Sequence, residues 1–421
     1  MLLKLKNIGK IDYGEICLDG LTVIAGLNDS GKSSVGKSLF SLISAYNMTE
    51  NYTEEHRLLQ MMKSVNYFYE RYSNTIIDYL HMPESPEAFM SIYESDEDSI
   101  KNCVKEAINN VYSLDNTPRN VNIARRDLND IRRLIEKKDK DKLFKDTLRN
   151  KIMSEFRDKF QRIGTNHAAL LIEEHDFVLG LKIENFNNEE FSIINEGKVS
   201  LFSDVTYIES PLFMREYPTY FVNRENSHFG RQADHIFDFC HKIDSFKTMD
   251  INLNENVNSG ILDFIDTVSS ISNGYFSRNE NSDALKWNDK AGNEFYPINV
   301  ASGIKSLGVL QMLIQSGYVD TNKLLIWDEP ENHLHPEWQI KLAEILVQLA
   351  ALGVPVLVNS HSPYFIQAIR YYASKSKVEK YVRYYLSEDN EDNSIRLDEV
   401  TDDLNRLFYK LAEPLDSIMN M

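Results

Sequence analysis

One eight-residue stretch, Gly26-Leu27-Asn28-Asp29-Ser30-Gly31-Lys32-Ser33, fits the pattern GxxxxGK[ST] and constrains the fold more than any other part of the chain. The pattern holds phosphate only where a buried strand enters the loop and a helix leaves it. Leu21-Thr22-Val23-Ile24-Ala25 is apolar enough for that strand, and a helix is expected from Ser33 to about Ala45. Backbone N–H groups of the loop, backed by the positive end of the helix, then cradle phosphate oxygens. Asn28, Asp29, Ser30, Gly31, Lys32, Ser33 and Ser34 are the expected ATP contacts, with Lys32 on the β- and γ-oxygens and the Ser33 hydroxyl on Mg²⁺. Such a unit implies an α/β sheet that binds its ligand at the carboxyl ends of its strands.

Two later segments suit the same edge. Lys323 to Glu329 is an apolar run closed by two carboxylates and Pro330, the way a buried parallel strand ends. Asp328 is expected to hold the Mg²⁺ shell, and Glu329 to polarise the attacking water as a general base. Gln339 to Leu352 has helical apolar spacing, and Val354-Pro355-Val356-Leu357-Val358 reads as a further strand ending at Asn359-Ser360-His361. His361 therefore falls on that edge, where it is expected to sense the γ-phosphate. Together these residues imply a nucleotide hydrolase that uses Mg²⁺.

With those residues in place, the chain resembles the ABC-class ATPases of the SMC, RecF and OLD group. Asp328-Glu329 followed by Pro330-Glu331-Asn332-His333-Leu334-His335-Pro336 looks like their Walker B and D-loop, and Asn359-Ser360-His361-Ser362-Pro363 looks like their switch histidine. The resemblance implies a P-loop NTPase of ABC type, α/β, with a mixed sheet, a β-rich lobe and an inserted mainly helical domain. It also implies a signature segment whose serine and glycine cap the γ-phosphate held by a second subunit, hence a homodimer or higher oligomer joined through the ATP sites. Ala301-Ser302-Gly303-Ile304-Lys305-Ser306 occupies the right place. It departs from LSGGQ at Ala301, Ile304 and Lys305, while Ser302 and Gly303 keep the pair. Ser302-Gly303 is also expected to N-cap a helix running through Met312.

Spacing gives the organisation. Ser302 follows Lys32 by 270 positions, and SMC- and RecF-like proteins carry an arm or lid in this gap. From Thr53 to about Phe160 apolar residues recur at helical spacing, as in Leu58, Met61, Met62, Val65, Phe68, Tyr69, Tyr72 and Ile76, without a sustained heptad. Ser85-Pro86-Glu87 opens a helix there. The expected division is an ATPase part over 1–45, a helical arm over 46–165 and the rest of the ATPase over 166–421. Within the last part Ala168 to Tyr207 reads as β-rich, residues 210–258 as a lid or interface loop, Gly260 to Ser272 as a helix and Ala284 to Ile298 as a hairpin. The tail from Lys380 reads as one strand, an acidic loop and a helix around Asp402 to Leu411.

Charge and cysteine usage narrow the setting. The formal net charge of −18 argues against sequence-independent DNA binding over the whole surface. Residues 119–163 nevertheless carry 15 Lys/Arg against 8 Asp/Glu. That run reads either as a solvated helical face or as a surface for nucleic acid or an acidic partner, with Arg125, Arg126, Arg132 and Arg133 as its chief members. Cys17, Cys103 and Cys240 lack metal-ligand spacing, which suits a reducing compartment. Leu2-Leu3-Lys4-Leu5 runs into charged residues rather than a signal peptide, and the apolar stretch Ala343 to Val358 is broken by Glu344, Gln348, Gly353 and Pro355, so a cytoplasmic location without a membrane span is expected. OLD enzymes continue into a Toprim nuclease, for which the roughly sixty residues after His361 leave no room. The expected role is therefore a sensor ATPase of a bacterial defence system with a nuclease or toxin supplied in trans; the alternative is a RecF- or SMC-like ATPase that clamps DNA.

Overall fold

The chain opens with strands β1 (Leu2–Ile8) and β2 (Ile11–Cys17), where alternate residues such as Leu3 and Leu5 are buried between more exposed lysines. Strand β3 (Leu21–Ala25) is buried at all five positions, as a strand covered on both faces must be. This computed structural model describes residues 1–51, 54–111, 118–136, 140–186, 188, 190–197, 202–210, 233–246, 259–278 and 284–419. Residues divide into two compact units, one of 1–47 with 147–421 and one of 48–146.

After β3, helix α1 spans Lys32–Glu50, starting one residue earlier and ending five later than the sequence suggests. The helical unit holds α2 (Glu54–Arg71), α3 (Asn74–Tyr79), α4 (Pro86–Ser95), α5 (Glu97–Asn110) and α6 (Pro118–Ile135), followed by α7 (Lys140–Phe156). Met61, Val65 and Phe68 share one face of α2 and join Phe89, Val104, Leu128 and Ile131 in one apolar core. Ser85 caps α4, accepting from the Ala88 N–H at 3.1 Å, with Pro86 in the first turn. The unit ends at 146 rather than the expected 165. Phe156 stacks edge-on with Phe160, which meets Phe186 in the same way, tying that stretch to the larger unit.

In the larger unit β4 (Ala168–Glu174), β5 (Phe177–Asn185), β6 (Glu190–Glu196) and β7 (Asp204–Ile208) follow. Next come α8 (Asp234–Asp244), α9 (Ser259–Ser272) and a small antiparallel sheet of β8 (Gly274–Arg278), β9 (Leu285–Asp289) and β10 (Glu294–Phe295). α8 corrects the reading of 210–258 as loop throughout: Ile236, Phe239, Cys240 and Ile243 lie at helical spacing and join the main core. Residues 211–232 and 247–258 of that expected lid fall outside the described residues. The chain closes with α10 (Ser302–Gln315), β11 (Lys323–Asp328), α11 (Pro336–Ala351), β12 (Val356–Ser360), α12 (Pro363–Lys375), β13 (Val382–Asp389), β14 (Ile395–Glu399) and α13 (Leu404–Met419).

Among the described residues one eleven-stranded mixed sheet runs in the order β6-β5-β4-β1-β2-β14-β13-β3-β12-β11-β7. β13, β3, β12, β11 and β7 are mutually parallel, while β6, β5, β4, β1 and β2 form an antiparallel wing. The fold is thus the expected P-loop α/β class with a mixed sheet and a β-rich lobe. β14 is a second tail strand that the sequence reading missed; it pairs antiparallel with β13 and parallel with β2, closing the gap between wing and core.

Candidate functional site

Parallel register places the motif residues at one sheet edge. Val23 pairs with Val358, and Trp327 pairs with both Val358 and Ile208. Following each strand to its end brings the 26–31 loop, Asp328-Glu329, Ser360-His361 and Glu209 to the same carboxyl edge.

The loop is held from below. Ser387 of β13 donates from its hydroxyl to the Ala25 carbonyl at 3.0 Å and lies 2.8 Å from the Ser30 hydroxyl. Its approach explains Gly26, since a Cβ there would sit 1.8 Å from Ser387 Oγ. Gly31 has φ +77° and Asp29 φ +65°, the left-handed turns that let the loop curl into α1. Lys32, 5% exposed, donates to the carbonyls of Gly26 at 2.9 Å and Leu27 at 2.7 Å and lies 3.3 Å from Ser30 Oγ. Burial pulls its pKa down, and the charges of Glu329, Asp328 and Glu331 oppose the shift, so all three carboxylates act on this ammonium. Asn28, Asp29 and Ser33 are exposed and Ser34 is half-buried, with its N–H bonded to the Gly31 carbonyl at 3.0 Å. Lys10 pairs with the Asp29 carboxylate.

Asp328 is 5% exposed, and each of its oxygens has one donor: Tyr207 Oη to Oδ2 at 2.9 Å and Asn359 Nδ2 to Oδ1 at 2.9 Å. α1 comes close to these strands because Gly36 has no side chain; a Cβ there would meet Ile326 at 3.1 Å and the Tyr207 ring at 3.3 Å. Glu329 has φ +46°, an uncommon conformation for a residue with a Cβ and one that occurs at functional turns. Its N–H donates to the Asn359 carbonyl at 2.9 Å, and its Oε2 accepts from Asn332 Nδ2 at 2.6 Å. His361 Nδ1 stands 3.2 Å from Glu329 Oε1.

Glu331 was not singled out by sequence as a site residue, yet it organises the turn after β12. It is 3% exposed, and its Oε1 accepts from Ser360 Oγ at 2.6 Å, His361 N at 3.0 Å and Ser362 N at 3.2 Å. Burial pushes its pKa up against these hydrogen bonds. The sign that could have found it is a carboxylate directly behind a strand-end turn, where backbone N–H groups of the neighbouring strand end need an acceptor.

The signature expectation needs correction at one point. Ala301, not Ser302, is the N-cap of α10, and Ser302 is its first helical residue. The Ser302 hydroxyl is drawn instead to the His333 carbonyl at 2.6 Å, so it cannot cap the helix it starts. Gly303 packs beneath Trp338, whose ring would stand 2.9 Å from a Cβ. Ser302 and Gly303 are thereby fixed to the segment that follows Asp328 and Glu329.

For a divalent ion, the described residues hold no group of three or more His, Cys, Asp or Glu side chains able to form a protein cage. The donors at this edge, the Ser33 hydroxyl and the Asp328 carboxylate, are hard oxygens few in number. That set fits Mg²⁺, which keeps waters and completes its shell with phosphate oxygens. Both Asp328 oxygens, Glu329 Oε2 and Glu331 Oε1 already accept hydrogen bonds, so the Asp328 carboxylate is held still before any ion arrives.

A family model described as "AAA domain, putative AbiEii toxin, Type IV TA system" matches residues 21–367. Similar solved structures include the SMC head domain from Thermotoga maritima, at 10% identity and TM-score 0.41 over 95% of this chain and 98% of that one. An SmcHead bound to the C-winged helix domain of ScpA aligns at 9% identity and TM-score 0.42, covering 96% and 98%. An Smc head domain with an extended coiled coil, bound to the C-terminal domain of ScpA derived from Pyrococcus furiosus, aligns at 9% and 0.41, covering 99% and 98%. No curated protein matches the chain. Among the described residues no helix is long and apolar enough to cross a membrane.

Proposed function

The chain belongs to the AAA-domain family of AbiEii type, whose model spans residues 21–367, and on that premise we propose that it binds and hydrolyses ATP as the sensor subunit of a bacterial defence system whose effector is supplied in trans. The observation that carries the hydrolytic part is the meeting of Lys32, Asp328, Glu329 and His361 at one sheet edge, with Glu329 turned by its left-handed backbone and 3.2 Å from His361. The toxin–antitoxin wording of the matched family supports the defence part.

Each group has a task in this reading. Lys32 and the N–H groups opening α1 bind the β- and γ-phosphates. The Ser33 hydroxyl and Asp328 would hold Mg²⁺, which would supply charge neutralisation. Glu329 accepts the proton of the attacking water at a carboxylate oxygen, while Asn332 on Oε2 and His361 near Oε1 orient it. His361 also faces the γ-phosphate, where an imidazole N–H stabilises the charge that develops. Ser302 and Gly303 reach the nucleotide of a second copy, so each ATP is closed between two chains and the two sites are composite.

Dimerisation and effector are tested together. Glu329→Gln chain with saturating ATP is expected to run as a dimer by light scattering, and a strictly monomeric protein contradicts the composite site. Tagged wild type is expected to retain a nuclease or small toxin encoded beside it. A second reading, an ATPase that clamps DNA, is favoured by the exposed Arg125, Arg126 and Arg133 on α6. Retention of DNA with no protein effector would move the conclusion to that reading.

A further inference from the structure

Behind Asp328 lies a buried charged cluster to which the reaction above assigns no part. His235, near the start of α8, is 1% exposed and sits between two carboxylates. Its Nδ1 is 2.6 Å from Glu155 Oε2 on α7, and its Nε2 is 3.1 Å from Glu209 Oε2, the residue just past β7. Its backbone N–H donates to Glu155 Oε1 at 2.9 Å. Both ring nitrogens thus face carboxylate oxygens, an arrangement that, with both carboxylates ionised, the doubly protonated imidazolium satisfies; a neutral ring would then turn one lone pair on a carboxylate. The ring lies 4.4 Å, centroid to centroid and 23° from parallel, over Tyr207, whose hydroxyl holds Asp328.

We propose that His235 is a positioning residue for ATP hydrolysis: as a cation clamped by Glu155 and Glu209 it presses on Tyr207, fixing the hydroxyl that orients Asp328, and it pins Glu209 at the same sheet edge. This rests on the hydrolytic reading of that edge. Other groups around it agree with a cation. Burial on its own lowers the His235 pKa, and the hydrogen bonds and charges of Glu155 and Glu209 raise it above its ordinary value of 6.5. The hydrogen bond from His235 holds Glu209 below the usual carboxylate range, with a smaller contribution from Lys37 on α1. From α7, Lys151 lies 3.7 Å from the neighbouring Asp234, so that carboxylate has its own partner. Phe40 of α1 closes the pocket edge-on to the imidazole at 6.1 Å.

A group whose folded pKa is raised stabilises the fold fully below its ordinary value and loses that contribution as pH rises through the folded one. Hydrolysis is therefore expected to fall on the alkaline side as the clamp loses its proton. The test uses the full chain with MgATP. In ¹⁵N-histidine spectra near neutral pH, the His235 signal, identified by its loss in His235→Phe, should show two protonated ring nitrogens; one unprotonated nitrogen overturns the proposal without reference to activity. His235→Phe should lower kcat about tenfold while leaving KM for ATP within about twofold, and should remove the alkaline limb. Should that variant fail to fold by circular dichroism, Tyr207→Phe carries the kinetic arm, since it deletes one hydroxyl and leaves no void. It should lower kcat by a similar factor and raise the Mg²⁺ concentration needed for tight ATP binding by calorimetry. Wild-type kcat, pH profile and Mg²⁺ dependence in the folded variants overturn the positioning role. Wild type that binds but never hydrolyses ATP sinks the hydrolytic reading instead, and the two failures are distinct.

Discussion

The carboxyl edge of β3, β12 and β11 and the helical unit 48–146 solve opposite problems. The edge keeps polar groups buried and largely paired: Lys32, Asp328, Glu331, Asn359 and Ser360 are all under 10% exposed and each has a named partner within 3.3 Å, while Glu331 Oε2 and Asn359 Oδ1 are buried without one among the described residues. The helical unit buries Met61, Val65, Phe68, Leu80, Phe89 and Leu128 and turns most of its charges outward, Arg57 being a buried exception that donates to the Ile135 carbonyl and the Tyr93 hydroxyl. Its salt bridges, such as Arg133 with Asp130 at 3.4 Å, are exposed pairs of the kind that add little to stability. The difference teaches where changes should be felt. Substitutions at the edge act on chemistry through positions of atoms, and substitutions in the helical unit act on folding through volume.

Phe68→Ala should give the largest effect. Removing a fully buried aromatic ring should cost about 3–5 kcal/mol of the helical unit's stability, seen as an early transition in a thermal melt. ATP turnover at low temperature should remain within about twofold of wild type. A large loss of turnover in a folded variant would mean that the two regions do not act separately.

Lys32→Ala probes the other region. It deletes a charged donor set, which should weaken ATP binding by about 2–3 kcal/mol, on the order of a hundredfold, with the melting curve little changed. Unchanged affinity by calorimetry would remove Lys32 from the phosphate site.

The smallest effect sharpens the comparison. Reversing Arg125, Arg126, Arg132 and Arg133 to Glu should leave ATPase activity without nucleic acid near wild type. If these side chains touch phosphate, each lost contact should reduce the slope of log affinity against log salt by about one. Wild type with no salt-dependent binding to DNA or RNA would leave this face solvated or given to a protein partner.

How much of this was legible in the sequence follows the range of the interactions. β3, β11 and β12 announced themselves as unbroken apolar runs ending in glycine, carboxylate or histidine, because strands buried on both faces leave that mark in local sequence. β14 did not, since Ile395–Glu399 is short and polar and is held in place by β2 and β13. α8 was hidden by its neighbours: its apolar spacing lies within a long aromatic and polar stretch. The residues that orient the site, Tyr207, His235, Glu331 and Ser387, meet their partners across 26 to 362 positions, and apart from the strand-end position of Glu331 no local pattern marks them. Ser302 shows the reverse error. Its type suggested a cap, and a nearby carbonyl, that of His333, won its hydroxyl.

Glu329 as the group that moves the proton, with its neighbours binding, is tested by single-turnover hydrolysis and equilibrium ATP binding of the Glu329→Gln chain, purified free of other ATPases. ATP affinity should stay within about threefold of wild type while hydrolysis slows by about 10²–10⁴. Hydrolysis at the wild-type rate would contradict that role.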